Sequence, residues 1–232
     1  MVDESMQSTY SVLAKDILDR VLDQGDETNE RPYWIGIAGG PGSGKSTLAE
    51  AVARRLNQEH EGSTIVLPMD GFHYSRAGLK NIAQSGTYTY EELLARRGSP
   101  WTFDAELLVD TLSRVKALGE GELPTYCRSI SDPVPGGVKL LPRHKIILVE
   151  GNYLLNFEDK KWEKLRDLFD EKWFISCSCM EKQRERLIKR HLQTWNEEKT
   201  KMFGEGRTCS RSSSNSFFFY PLLPRIIMFF VP

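Results

Sequence analysis

The chain has 232 residues, 40% of them hydrophobic and 27% charged, which is enough to bury one good-sized core and excludes wholesale disorder. Its 31 basic and 32 acidic residues give a formal net charge of −1, which excludes electrostatically driven nucleic-acid binding as the main activity. The four cysteines are too few and too scattered for a disulfide scaffold, and Cys177 and Cys179 lack further ligands at metal-binding spacing.

Helical and strand patterns alternate along most of the chain. Apolar residues at helical spacing predict helices over residues 5–23, 48–56, 104–118 and about 180–201. Short apolar runs predict buried strands at 33–38, 64–69, 144–149 and 172–179. Strands that alternate with helices are joined by crossover connections, so the sequence predicts an α/β fold with a parallel sheet.

A phosphate-binding motif follows the first predicted strand and opens the next helix. Residues 39–47 match the pattern G-x-x-x-x-G-K-[ST]. Glycines in such a loop let backbone N–H groups turn toward phosphate oxygens, and the following helix directs its N-terminus at the same charge. The pattern predicts binding of a nucleotide, with the side chain of Lys45 on the β- and γ-phosphates and the Ser46 hydroxyl on Mg²⁺. The predicted nucleotide-binding residues of the loop are Gly39, Gly40, Pro41, Gly42, Ser43, Gly44, Lys45, Ser46 and Thr47.

Two carboxylates end predicted strands near this loop. Glu150 follows the apolar run 146–149, and its place at the carboxyl edge of the sheet favours a metal-binding role beside Ser46 over that of an exposed strand end. Asp70 ends the second strand and can accept the proton of an attacking hydroxyl group. Asp-Gly is also a good turn dipeptide, so spacing alone leaves a turn-forming role for Asp70 equally open.

The motifs together resemble those of a known superfamily. The phosphate loop, the segments 69–73 (MDGFH) and 96–104 (RRGSPWTFD), and the segment 149–153 (VEGNY) are similar to those of the uridine kinase, phosphoribulokinase and bacterial pantothenate kinase superfamily. The similarity covers roughly residues 10–203. It extends to a fungal and bacterial branch of the superfamily whose proteins are described only as kinase-like or ATPase. It implies a three-layer P-loop NTPase fold with a parallel sheet in the order 2-3-1-4-5. It also implies transfer of a phosphate from Mg²⁺-bound ATP to a hydroxyl group of a small molecule.

The same resemblance implies roles for individual residues. Asp70 matches the general base, which would act together with Lys45 in catalysis. The helix after the fourth strand matches a lid that closes over the phosphates. The matching acceptor-site residues are His73, Tyr74, Arg97 and Asp104, and the matching lid cations are Arg186, Lys189 and Arg190. The sequence departs from the superfamily at Cys127, where relatives often carry an acidic residue.

The last 29 residues have a different composition from the preceding ones. Serine-rich residues 210–216 precede an apolar run that Pro221, Pro224 and Arg225 interrupt, so the run is shorter than the roughly 20 apolar residues of a spanning helix. We therefore expect a kinase-like domain at 1–203 and a poorly ordered tail at 204–232. The tail should not supply the fifth strand, which would leave one sheet edge exposed. The N-terminal residues carry two acids and no signal-peptide pattern, so we expect a cytoplasmic protein without stable membrane insertion.

Three functions fit these observations. The first is a kinase that phosphorylates a small metabolite with an alcohol group, and the acceptor can be nucleoside-like, pantothenate-like or sugar-like. The second is an ATPase or switch without an acceptor, and the third is a truncated, inactive form. Asp70 beside acceptor-side aromatic residues favours the kinase, because a switch needs no base next to a substrate pocket. The sequence leaves the oligomeric state open.

Overall fold

The fold consists of six α-helices and seven β-strands among the residues that the computed structural model describes, which are 4–21, 31–193 and 226–231. The helices are α1 (Glu4–Val21), α2 (Lys45–Glu59), α3 (Arg76–Ala83), α4 (Tyr90–Ala95), α5 (Ala105–Leu118) and α6 (Met180–Gln193). The strands are β1 (Tyr33–Gly39), β2 (Thr64–Pro68), β3 (Gly121–Cys127), β4 (Asp132–Leu140), β5 (Ile146–Gly151), β6 (Glu171–Cys177) and β7 (Ile226–Val231).

Five of these strands form a parallel central sheet in the order β2-β5-β1-β6-β7. When the sheet strands alone are numbered along the chain, the order is 2-3-1-4-5, which confirms the topology that the resemblance implied. In the register of the sheet, Ile35 of β1 lies opposite Leu148 of β5 and Glu171 of β6. All six residues of β5 are buried, as expected for a central parallel strand that is covered on both faces.

Helices cover both faces of the sheet, so the three-layer architecture is confirmed. Successive residues of β1 point to opposite sides: Trp34 packs into one core cluster and Ile35 into the other. The cluster around Ile35 contains the buried faces of α1 and α2, including the fully buried Ile17. The cluster around Trp34 contains the apolar face of α5 and the loop residues 153–169, among them Trp162.

The fifth strand corrects an expectation from the sequence. β7 pairs in parallel with β6 from Lys172 opposite Ile226 to Cys177 opposite Val231, so the prediction of a missing last strand was wrong. The strand is formed by six apolar residues, Ile226–Val231, that come after both prolines and after Arg225. Isoleucine, phenylalanine and valine favour strands. This short run is not apparent from the average composition of the tail. Residues 204–225, which carry the rest of the predicted tail, lie outside the described residues.

Several short elements had not been predicted. The helix α3 begins after Ser75, whose hydroxyl accepts a hydrogen bond from Gly78 N at 3.0 Å. The helix α4 begins with a capping box in which Thr89 and Glu92 bond each other's backbone. The strands β3 and β4 form a separate antiparallel hairpin. The predicted end of the lid helix, residues 194–201, lies outside the described part. No helix in that part is long and apolar enough to cross a membrane.

Candidate active site

The phosphate loop connects β1 to α2 at the carboxyl end of the sheet. Gly44 is the N-cap of α2, and no side chain caps the first turn of this helix. Gly42 has a φ of 78°, and a Cβ atom there would lie 2.9 Å from Leu187 Cγ, so the loop needs glycine at this position. The side chain of Lys45 is buried at the start of α2. The loop therefore has the form that its sequence predicted.

Two features of the loop fit a bound phosphate group. Ser43 is almost fully buried, and its hydroxyl oxygen has no hydrogen-bond partner among the described residues. The first turn of α2 contains no acidic residue that would compete for its N–H groups. Unsatisfied N–H groups and a positive helix end form a favourable site for anions. The residues present thus fit the phosphates of a nucleotide.

A cluster of charged and polar side chains lies next to the loop. Glu150, at the end of β5, is buried and accepts a hydrogen bond from the Ser46 hydroxyl. Burial raises the pKa of Glu150; the charge of Lys45 opposes that rise, and the charge of Asp70 adds to it. The structure therefore brings together four of the predicted residues. Oxygen ligands of this kind, with one or two carboxylates and substrate phosphates, fit Mg²⁺.

Asp70 lies in a 3-10 turn, Met69–Phe72, that directly follows β2. Its carboxylate contacts the guanidinium of Arg128, with 3.4 Å between Oδ2 and Nη2. About a third of the Asp70 side chain is exposed, so the carboxylate is accessible from solvent. No group of three or more His, Cys, Asp or Glu side chains that could hold a metal occurs in the described ranges.

His73 and Tyr74 follow the same turn. The ring of His73 lies against Phe103 and Tyr126, with ring centroids 3.8 and 4.9 Å apart, and its Nδ1 is 2.8 Å from the Asp70 carbonyl oxygen. Burial lowers the pKa of His73, so the neutral form is favoured at neutral pH. Burial raises the pKa of the Tyr74 hydroxyl, with further contributions from two nearby acidic residues.

Arg97 and Asp104 have structural contacts in the same region. The Nη2 of Arg97 donates to Asp132 Oδ1 at 2.9 Å and to the Tyr74 carbonyl at 2.8 Å, and its Nη1 donates to the Ser131 carbonyl. Asp104 is the N-cap of α5, where its carboxylate accepts a hydrogen bond from Leu107 N. Arg97 thus ties the end of the hairpin to the segment after Asp70. Asp104 fixes the start of a helix.

The hairpin β3–β4 packs directly on the turn that carries Asp70. A Cβ atom at Gly71 would lie 2.0 Å from the Pro124 carbonyl oxygen, so the backbones of turn and hairpin are in close contact. Tyr126 and Arg128, near the end of β3, are thereby placed beside His73 and Asp70. A glycine at position 71 is required for this contact.

The helix α6, for which the resemblance implied a lid role, contacts the loop through residues that were not among the predicted ones. Gln183 Nε2 donates to the Pro41 carbonyl at 2.7 Å, and Leu187 is buried against Gly42. Of the three predicted lid cations, Arg186 donates toward Cys177 Sγ at 3.8 Å and Lys189 is exposed. The side chain of Arg190 lies outside the described residues. The contacts between α6 and the loop that the structure shows are those of Gln183 and Leu187, and the role of Arg186, Lys189 and Arg190 stays a prediction.

Sequence reasoning missed four residues that contact the site. Tyr126 and Arg128 belong to the segment 124–128, which had been noted only for the cysteine at position 127. Their signal was the alternation of a strand, which places residues two apart on one face. Gln183 had no signal, because a neutral residue in a strongly charged helix does not stand out. Helix spacing does relate it to Leu187, four residues further on.

The fold and the site together define a P-loop kinase. The phosphate loop lies between β1 and α2, and Asp70 just after β2 and Glu150 near the end of β5 lie at the same edge of the sheet. A loop for phosphates with carboxylates beside it is the arrangement that phosphoryl transfer uses.

Comparisons with known proteins agree with this class. A uridine kinase candidate of Schizosaccharomyces pombe is 40% identical over 168 residues, which are 71% of this chain and 68% of that protein. A pantothenate kinase of Lacticaseibacillus casei is 32% identical over 149 residues, 63% of this chain, and the chain spans just under half, 46%, of its length. A family model described as Zeta toxin matches residues 18–109.

A solved structure is similar over most of the chain. The crystal structure of a candidate fructose transport system kinase from Silicibacter sp. TM1040 has a TM-score of 0.65 and 27% identity, covering 82% of this chain and 84% of that one. The chain belongs to the P-loop kinase family whose members include uridine kinase and pantothenate kinase. It is a kinase of small metabolites, and this family uses ATP.

Proposed function

We propose that the protein transfers the γ-phosphate of ATP to a hydroxyl group of a small metabolite, with Asp70 as the general base. The observation that carries the proposal is the position of two carboxylates at the ends of neighbouring strands. Glu150, which accepts a hydrogen bond from Ser46 of the phosphate loop, lies opposite Pro68, and Asp70 comes two residues after Pro68. One carboxylate then serves the metal, and the other is left for the acceptor.

In the proposed reaction the acceptor oxygen attacks the γ-phosphorus. Its proton passes to the Asp70 carboxylate, and a new oxygen–phosphorus bond forms while the bond between the γ-phosphorus and the bridging oxygen of ADP breaks. Ser46 and Glu150 would hold Mg²⁺, which neutralises charge on the phosphate oxygens. Lys45 and the N-terminus of α2 would add positive charge at the phosphates.

The acceptor side is formed by rings and polar groups around Asp70. His73, Phe103 and Tyr126 form an aromatic wall next to the carboxylate. Aromatic rings beside the carboxylate would pack against an organic acceptor, which would displace water when it binds and so limit hydrolysis of ATP. This arrangement favours a kinase over an acceptor-free ATPase, for which such a wall has no use.

The test is the variant Asp70→Asn, which removes the base with almost no change in shape. We expect acceptor phosphorylation to fall by about 10²–10⁴-fold while ATP binding is retained. The measurement is the rate of ADP formation with and without acceptor, from a screen of metabolites that includes uridine, pantothenate, fructose and D-glycerate.

Asp110→Asn is the matched control, since it makes the same change on an exposed position of α5. Unchanged acceptor phosphorylation in Asp70→Asn would disprove the assignment of the base. ADP formation that no acceptor stimulates in the unmodified protein would instead indicate an ATPase or switch.

A further inference from the structure

Arg128 is a cation at the acceptor side of the site to which the proposed reaction assigns no task. It directly follows β3, and half of its side chain is exposed. Its charge lowers the pKa of Glu150, after larger contributions from other groups, and opposes protonation of His73. The guanidinium therefore interacts electrostatically with three groups of the site: Glu150, His73 and Asp70.

The contact between Arg128 and Asp70 is a weak ion pair. Its Nη2–Oδ2 distance of 3.4 Å is longer than the roughly 2.7–2.9 Å of a strong charge-assisted hydrogen bond. Exposed pairs of this kind contribute about 0–1 kcal/mol to stability. If another anion took the place of the Asp70 carboxylate as the partner of the Arg128 guanidinium, the loss of this ion pair would therefore cost little free energy.

The neighbouring arginine is engaged differently. Arg97 is almost buried and directs its donors at Asp132 and at the carbonyls of Tyr74 and Ser131. Its guanidinium also lies 5.4 Å from the centre of the Tyr126 ring. Arg97 thus holds the hairpin in place, whereas Arg128 presents its guanidinium to the solvent-accessible side of Asp70.

We propose that Arg128 recognises an anionic group of the acceptor, so that the substrate is a hydroxy acid or a phosphorylated alcohol rather than a neutral nucleoside or sugar. This inference rests on the proposed function. When the anionic group binds the Arg128 guanidinium, the Asp70 carboxylate no longer contacts Arg128 and can accept the hydroxyl proton. A planar guanidinium with several donors binds either a carboxylate or a phosphate in two-point fashion.

The exchange also couples acceptor binding to catalysis. Without acceptor, the Arg128 guanidinium contacts the Asp70 carboxylate and competes with a hydroxyl group for it. With acceptor, the base is free and the reacting hydroxyl lies beside it. Acceptor binding therefore makes the Asp70 carboxylate available as a base only when the hydroxyl group of the acceptor has replaced water beside it.

The test uses acceptor pairs that differ only in the anionic group. The pairs are pantothenate with pantothenol, D-glycerate with glycerol, and fructose 6-phosphate with fructose. KM and kcat for ADP formation and direct binding by saturation-transfer NMR are measured for the unmodified protein, Arg128→Gln and Arg128→Lys. Arg114→Gln is the control, because it removes the same charge from an exposed position of α5.

We expect the anionic member of at least one pair to have a KM at least about tenfold below that of its neutral partner. A hydrogen-bonded contact to a charged group changes affinity by about this factor. Arg128→Gln should raise that KM by a similar factor and leave the KM of the neutral partner unchanged. Arg128→Lys should restore part of the loss. The carboxylate and phosphate pairs show which anion is recognised.

Three outcomes would overturn the inference: no pair with a preference for the anion, an equal effect of Arg128→Gln on both members, or no effect at all. If a neutral acceptor is phosphorylated and Arg128→Gln leaves its kinetics unchanged, the proposed kinase function stands and the role of Arg128 falls. If the anions bind in an Arg128-dependent way but none is phosphorylated, recognition stands and the kinase function falls.

Discussion

Glu150 shows how one residue links the phosphate loop to the sheet. Its carboxylate is buried and has a raised pKa, and a buried charge is costly unless other groups stabilise it. The Ser46 hydroxyl and the charge of Lys45 supply part of that stabilisation. A bound cation would supply more, and this would favour a carboxylate at a position otherwise surrounded by apolar strand residues.

A second buried titratable residue, His144, gives a prediction about pH. Its Nδ1 accepts a hydrogen bond from Leu141 N at 3.0 Å, and burial, with the charge of Arg143, lowers its pKa. The unfolded chain therefore binds a proton at a higher pH than the folded one. The stabilisation is present above a pH of about 6.5 and is lost as the pH falls further, by up to about 1.4 kcal/mol per pH unit.

We expect His144→Asn to reduce this pH dependence, because asparagine offers an acceptor and does not titrate. The measurement is the free energy of unfolding in urea at a pH of about 7.5 and about 5.5. The difference between the two proteins isolates His144 from the other histidines. Identical slopes with pH in both proteins would show that His144 is not responsible.

At the scale of elements, the edge strand β7 is the clearest difference between expectation and structure. The strands β1, β2, β5 and β6 were each predicted within about two residues at either end, since continuous apolar runs bounded by turns are characteristic of buried parallel strands. β7 has the same character over residues 226–231, but it lies behind prolines in a segment that looked irregular. Proline ends a pattern only at its own position and does not affect residues further along.

Hydrogen exchange tests the pairing of β7. We expect the backbone amides of Ile226–Val231 that bond to β6 to be protected, because ladder hydrogen bonds slow exchange. Phe229→Pro places a residue without an N–H group in the strand and should lower this protection while β1 and β5 keep theirs. Exchange in the unmodified strand as fast as in an unfolded peptide would mean that β7 is not paired in solution.

The elements that had not been predicted share a physical reason. α3 and α4 span eight and six residues, too few for a hydrophobic period to emerge, and their capping residues Ser75 and Thr89 define them instead. The hairpin β3–β4 contains Pro124 and Pro133, which obscure strand patterns. Its position on the site depends on contacts between residues far apart in the chain, which local sequence does not encode.

At the scale of the whole molecule, the predicted site residues converge because parallel strands end at one edge. Asp70 and Glu150 are 80 positions apart, yet they lie at the carboxyl ends of the neighbouring strands β2 and β5, and the charge of Asp70 raises the pKa of Glu150. Motif spacing and topology together were sufficient to bring these two residues to the loop. For the predicted lid the result was different. The helix α6 was predicted, but the face that contacts the loop was not, because the choice of face depends on packing against Gly42.

Nucleotide binding should stabilise the whole fold. At a Mg²⁺-ATP concentration of about 100 times Kd, the expected gain is about 2.7 kcal/mol, or roughly 5–10 °C in Tm for a chain of this size. Lys45→Ala should remove most of this shift, since Lys45 carries the positive charge at the phosphates. Lys145→Ala, an exposed lysine before β5, is the control and should keep it. A Tm shift of equal size in both variants would contradict the role of Lys45.

The contact between Gly71 and Pro124 has a consequence for how acceptor preference can change over time. The turn that carries Asp70 and the hairpin that carries Arg128 touch through their backbones at Gly71 and Pro124, and this contact does not involve the side chains at positions 127 and 128. Substitutions at the end of β3 can therefore alter what is recognised without displacing the reacting groups. Laboratory evolution of acceptor preference would find tolerant positions at 127 and 128, and Gly71 would stay fixed in every active variant.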